Sequence, residues 1–183
     1  MGRFAIPYQP NRAGPPPENW LPAPATVSRA IPLYEKWELL EKNVGAILAA
    51  ILAGVITSLG SVLVMAWVLR MEHANAVTLL PKSVTTAIGM DIAETLGGTA
   101  ALAGAVIILT GIAGSLLAET VCKVCHITDP IAKGLALGTS AHAVGTSKAL
   151  QMGEVEGAIS GLAIAVAGVL TAVLAPVAAN FLP

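Results

Sequence analysis

The stretch from Val44 to Leu69 reads VGAILAAILAGVITSLGSVLVMAWVL and carries no charge. At 1.5 Å of rise per helical residue it is about 39 Å long, more than the hydrocarbon core of about 30 Å that a bilayer presents. Two other stretches share the property, Gly97 to Ala118 and Gly157 to Pro183. Of the 21 charged residues in the 183-residue chain, nine fall within the first 42 positions, leaving twelve for the other 141. The composition is 55% hydrophobic and 11% charged, with a mean hydropathy of +0.77, whereas a soluble domain carries about 25% charged residues. The fold class read from this is an all-α membrane protein, a polytopic helical bundle in contact with the lipid bilayer.

A net charge of −1 leaves no basic surface, so no nucleic-acid partner is expected. Residues 1–24 hold seven of the twelve prolines and no apolar block, which reads as a Pro-rich, disordered leader and not as a signal peptide. Residues 25–183 are taken as the transmembrane domain, entered through a charge-mixed stretch containing Lys36, Glu38, Glu41 and Lys42. Lys36 and Lys42 precede the first span and Lys123 and Lys133 follow the second. The positive-inside rule puts both groups in the cytoplasm if the intervening Lys82 segment is re-entrant, and it fails for one of them if that segment crosses.

Two segments of membrane-like length are interrupted by polar residues: Leu79 to Asp91, which contains Pro81, and Gly134 to Lys148. Proline removes a backbone donor, and the Gly and hydroxyl clusters loosen the helical ladder, so both are expected to be broken or re-entrant helices. Irregular backbone at membrane depth is tolerated only inside protein or along a cavity, which places them in the bundle interior. The small-residue spacings Gly134/Gly138 and Gly153/Gly157/Gly161 fit close helix packing.

The chemistry is sought in those two segments. Lys82, Ser83, Thr85 and Thr86 follow Pro81, and an ionisable residue inside a membrane by default marks a pathway or a partner. In the second segment Thr139, His142 and Thr146 would share one face of a continuous helix, with Ser140 beside them and Lys148 beyond. Hydroxyls, half-helix amides and a cation are what a small carboxylate needs at the membrane midplane. Substrate binding is therefore assigned to Lys82, Ser83, Thr85, Thr86, Thr139, Ser140, His142 and Thr146, with His142 and Asp91 as proton-coupling candidates. No nucleophile triad, phosphate loop or catalytic carboxylate pair is seen, so no enzyme activity is expected. Cys122-Lys123-Val124-Cys125-His126 matches the C-x-x-C-H haem pattern. It follows an apolar span in a loop whose lysines favour the cytoplasmic side, so no haem, other cofactor or metal is expected, and the role of Cys122, Cys125 and His126 is left open.

The stretches Leu80-Pro81-Lys82-Ser83-Val84-Thr85-Thr86-Ala87-Ile88, Gly97-Gly98, Asp129 to Thr139, Ala141 to Thr146 and Gly153 to Ala158 closely resemble the LrgB/CidB family, from about Pro24 to the C-terminus. That resemblance implies a multi-pass protein of the bacterial inner (plasma) membrane, linked to control of murein hydrolase activity and autolysis beside a holin-like LrgA/CidA partner. Related plastid proteins are glycolate/glycerate translocators, so the resemblance also implies transport of small organic acids such as pyruvate or glycolate. The alternative is a non-transporting regulatory subunit that modulates the holin-like partner; homo-oligomer formation is left open. The family carries apolar spans upstream of Pro24, where this chain has its Pro-rich leader, so a bundle lacking those spans is expected.

Overall fold

The computed structural model describes residues 37–183. The leader of residues 1–24 and the beginning of the charge-mixed stretch lie outside the described residues. Six helices and no strand are found among the described residues: α1 (Trp37–Leu69), α2 (His73–Leu79), α3 (Thr86–Thr95), α4 (Ala100–Val124), α5 (Pro130–Met152) and α6 (Glu154–Ala179). Three of them are long and apolar enough to cross a membrane, over Asn43–Val68, Ala100–Val124 and Glu154–Ala179. These are the three expected spans, the last beginning a few residues early because Glu154 and Glu156 occupy the first turn of α6, where carboxylates suit the positive end of the helix dipole.

Each long helix divides into a packed face and an open one. Along α1 the buried side chains Ile47, Ile51, Val55, Leu59, Val62 and Ala66 follow the helical repeat, while Leu48, Leu52, Ile56, Val64 and Val68 point outward. On α6 the buried face is Ala158, Ala163, Ala167 and Ala175 and the outer face is Val169, Val173 and Val177. Helix α1 buries large side chains, whereas α6, apart from the buried Ile159, has small residues inside and large ones outside, the arrangement expected where lipid supplies no hydrophobic drive and close backbone approach does the packing. At one end, the Trp67 indole Nε1 donates to the Phe181 carbonyl at 2.9 Å, tying α1 to the segment after α6.

Both interrupted segments are broken, by different means. Pro81 cannot continue α2, so the chain turns through residues 80–85 and resumes as α3, with Thr85 extended before it at φ −65°, ψ 148°. The Thr99 amide then donates to Thr78 Oγ1 at 2.9 Å, so the chain has returned to the level of α2 before α4 begins. The connection therefore dips and comes back, and α1 and α4 run in opposite directions. Helix α5 starts conventionally: Pro130 occupies the first turn and the Ala132 amide donates to Asp129 Oδ1 at 2.8 Å. At His142 the backbone leaves helical geometry, φ 41°, ψ −131°.

A Cβ on Gly145 would lie 2.7 Å from the Leu137 carbonyl oxygen, although eight residues of continuous helix would separate the two positions by about 12 Å. Leu137 and Ala149 also share one buried cluster with Ala118 of α4. Helix α5 is thus a hairpin of two arms, residues 130–141 and 143–152, with His142 at the tip. Both arms pack on α6. A Cβ on Gly134 or Gly138 in the first arm would meet the Glu156 or Ser160 carbonyl oxygen at 2.6 Å, so the backbones touch there. In the second arm Thr146 Oγ1 and Ser160 Oγ are hydrogen-bonded at 2.7 Å. The other small-residue spacing is used less, for open space surrounds Gly161.

Candidate functional site

A cavity of about 750 Å³ opens between the middle of α1, the middle of α4, the first arm of α5 and the turn after α2. Helix α1 contributes Gly54, Thr57, Ser58 and Ser61, α4 contributes Thr110 and Gly114, α5 contributes Thr139 and Ser140, and the turn contributes Lys82 and Ser83. Among the described residues its walls hold hydroxyl groups and one charge, the Lys82 ammonium, and no carboxylate.

Lys82 reaches this cavity because Pro81 ends α2 just before it. The half-buried Nζ donates to Ser83 Oγ at 3.2 Å and to Ser58 Oγ at 3.4 Å, and Ser58 Oγ donates to Ser83 Oγ at 3.0 Å. An ammonium has three N–H donors, and the two serine oxygens take two of them. On the opposite wall Thr139 Oγ1 donates to the Leu135 carbonyl at 2.8 Å and Ser140 Oγ to the Ala136 carbonyl at 2.6 Å. These are bonds to the preceding helical turn, which a hydroxyl can exchange for a ligand by rotating about a single bond. Thr139 also packs on α1, since a Cβ on Gly54 would stand 3.0 Å from its side chain.

Of the residues singled out from the sequence, Lys82, Ser83, Thr139 and Ser140 line this cavity together. The other four do not. Thr85 occupies the position before α3 without a side-chain capping bond, and Thr86 begins the helix, near Gly104 of α4. His142 is 2% exposed, and its Nε2 sits 2.8 Å from the Ile107 carbonyl of α4. A carbonyl only accepts, so Nε2 carries the proton of that bond. Thr146 donates to the His142 carbonyl at 3.0 Å as well as meeting Ser160. The single-face arrangement of Thr139, His142 and Thr146 is not found, because the reversal at His142 puts Thr139 and Thr146 on different arms. Asp91 is exposed on α3 and does not line the cavity. Lys148 is paired with Glu119 of α4 and lies outside the cavity too.

Thr57, Ser58, Ser61 and Thr110 were not anticipated. They sit in otherwise apolar, uncharged spans, and nothing in the local sequence says which neighbour they face. The C-x-x-C-H motif closes α4: Cys122 is buried, Cys125 is the exposed C-cap residue and His126 follows at φ 54°. Cys122 and His126 border a second cavity of about 450 Å³ with Lys123, Lys133 and Glu156. No group of three or more His, Cys, Asp or Glu with metal-binding geometry is found among the described residues.

The profile of the LrgB-like family matches residues 3–181 of this chain. The chain belongs to the LrgB-like family. Its LrgB relatives include proteins named antiholin-like protein LrgB in Bacillus mycoides, Bacillus cereus and Bacillus anthracis. Each is 38% identical over 159 residues, which cover 87% of this chain and 69% of the relative. No solved structure matches the LrgB-like chain.

Proposed function

We propose that the chain is a membrane carrier of small organic acids of the pyruvate or glycolate type, whose carboxylate is held by Lys82 and the surrounding hydroxyls. The observation that carries this reading is the charge inventory of the cavity among the described residues: one ammonium, several hydroxyls and no carboxylate. A single cation matches a single carboxylate, and hydroxyls on facing walls suit the carbonyl or hydroxyl of a short keto or hydroxy acid. Ser58, Ser83, Thr139 and Ser140 are assigned to the substrate with Lys82, whereas His142 and Thr146 support the hairpin that carries Thr139 and Ser140. The residence proposed is the bacterial inner membrane. The N-terminal end of α1 and the Lys123/Lys133 end of α4 share one face, which the positive-inside rule assigns to the cytoplasm.

Proteoliposome uptake of labelled pyruvate, glycolate and lactate tests the reading. Uptake saturates with the unaltered protein and drops at least tenfold in Lys82→Ala and in Ser83→Ala; undiminished uptake in both variants removes the carboxylate site from this cavity. The name antiholin-like carried by the relatives favours a second reading, a regulatory subunit that binds a holin-like LrgA/CidA partner and thereby controls murein hydrolase activity and autolysis. Under that reading the partner co-purifies, and the effect on autolysis survives Lys82→Ala.

A further inference from the structure

We propose that the second cavity, at the end of α4, seats the headgroup of an anionic phospholipid whose acyl chain lies along the outer face of α4. The cavity, of about 450 Å³, has the size of a small-ligand site and lies where α4 ends and α5 and α6 begin. Helices α4 and α6 are long enough to cross the bilayer, so their ends on this side stand at the level of the headgroups.

The turn after α4 sets lysines on two sides of this space. The Ile127 amide donates to the Cys122 carbonyl at 2.8 Å and the His126 amide to the Lys123 carbonyl at 3.2 Å. That pairing closes a helix over a left-handed residue, here His126 at φ 54°. Only five residues separate α4 from α5, so Lys123 in the last turn of one and Lys133 near the start of the other border the same cavity. Neither has an ion-pair partner among the described residues. The two carboxylates on the walls are already engaged. Glu119 is paired with Lys148 of α5. Glu156 folds over Gly153, where an added Cβ would collide with its Oε2, and the start of α6 favours a negative charge there. With Lys148 included, the ammonium groups of Lys123, Lys133 and Lys148 stand against the carboxylates of Glu119 and Glu156, and one positive charge is left over. A single phosphodiester neutralises it. Thr128 and Gln151, also on the walls, offer a hydroxyl and an amide to the remaining phosphate and glycerol oxygens.

The outer face of α4 decides for a lipid over a soluble phosphate compound. Leu109, Ile112 and Leu116 continue, at intervals of three and four residues, the row that carries Glu119 and Lys123, so all five lie on one side of the helix. The three apolar members are 65%, 45% and 77% exposed. From Lys123 back to Leu109 the row is about 21 Å long, enough to accompany a chain through the roughly 15 Å of hydrocarbon in one leaflet. A soluble ligand would fill the cavity and leave this row unused; a phospholipid occupies both, and basic pockets between membrane helices are where anionic headgroups bind.

The test is native mass spectrometry of the full chain with dioleoylphosphatidylglycerol or dioleoylphosphatidylcholine added to the detergent. The unaltered chain is expected to retain phosphatidylglycerol in preference to phosphatidylcholine. Lys123→Gln and Lys133→Gln each weaken its binding about fivefold, and together about thirtyfold, whereas Arg70→Gln, which removes an exposed charge beyond the other end of α1, leaves it unchanged. The double variant Lys123→Arg/Lys133→Arg keeps the preference, which separates loss of charge from loss of fold. Equal retention of the two lipids by the unaltered chain overturns the proposal with no variant needed. Equal weakening by Arg70→Gln overturns the assignment to the cavity, for binding then follows net charge alone. Displacement of phosphatidylglycerol by an excess of glycerol 3-phosphate or inorganic phosphate overturns the lipid assignment, because the site then reads a phosphate without its chains.

Discussion

His142 is held at φ 41°, ψ −131°, a region that L side chains rarely adopt, and is fixed there by its bond to the Ile107 carbonyl. Such a residue stores on the order of 1–3 kcal/mol of backbone strain. The two contributions separate by substitution. His142→Ala loses the hydrogen bond and keeps the strain, while His142→Gly loses the bond and relieves the strain. The glycine variant is therefore expected to be the more stable of the two by about 1 kcal/mol, read as a higher melting temperature in detergent; an alanine variant that melts at or above the glycine one contradicts this account of the tip. The ring needs space as well. A Cβ on Gly111 would stand 2.6 Å from His142 Cε1, so Gly111→Ala pushes the ring from Ile107 and is expected to destabilise by about 1–3 kcal/mol, with a melting temperature equal to that of the parent as the contrary result. At this scale the sequence was informative where a residue was out of place, as Lys82 and His142 are in an apolar chain. It was silent for Ser58 and Thr110, because a hydroxyl in an apolar span acquires its meaning from the helix opposite.

The element most altered by the structure is α5. Its glycines and hydroxyls announced an irregular helix, but they are compatible with a kink, a loosened turn or a reversal, and the sequence-based placement of Thr139, His142 and Thr146 on one face presumed that the helix ran on. What decides for reversal is tertiary: α6 offers Glu156 and Ser160 carbonyls to one arm and the Ser160 hydroxyl to the other, so both arms gain a surface only when folded back. By contrast Pro81 specified its own break, since a missing N–H and a fixed φ act locally. The hairpin makes a geometric prediction. Leu137 and Ala149 would be about 18 Å apart along a straight helix but belong to one buried cluster here. A Leu137→Cys/Ala149→Cys pair, with Cys122 and Cys125 replaced by Ser, is expected to form an intramolecular disulfide in membranes under mild oxidation. Failure to cross-link, with the same protein folded by proteolysis, would point to an extended α5.

For the whole molecule, the three spans were legible from the scarcity of charge alone, because exclusion of charge from hydrocarbon acts on every residue of a span regardless of its neighbours. Their outward faces, including Leu109 and Leu116 of α4 at 65% and 77% exposure, present large apolar side chains to the surroundings. Leu109→Asp is expected to cost about 2.5–3.5 kcal/mol of insertion and to lower the membrane-inserted fraction; an unchanged fraction would mean that this face meets protein or water instead of lipid. The α5 hairpin bears on how the molecule is made. Synthesis runs from the N-terminus, so α5 leaves the ribosome before α6, the helix on which both of its arms rest. Until α6 arrives, the arms have hydroxyls and a bent backbone to shelter and only α4 and part of α1 to shelter them. The span that follows is thus the template for the element before it, and the hairpin that carries Thr139 and Ser140 into the cavity has to wait for α6 to enter the bilayer.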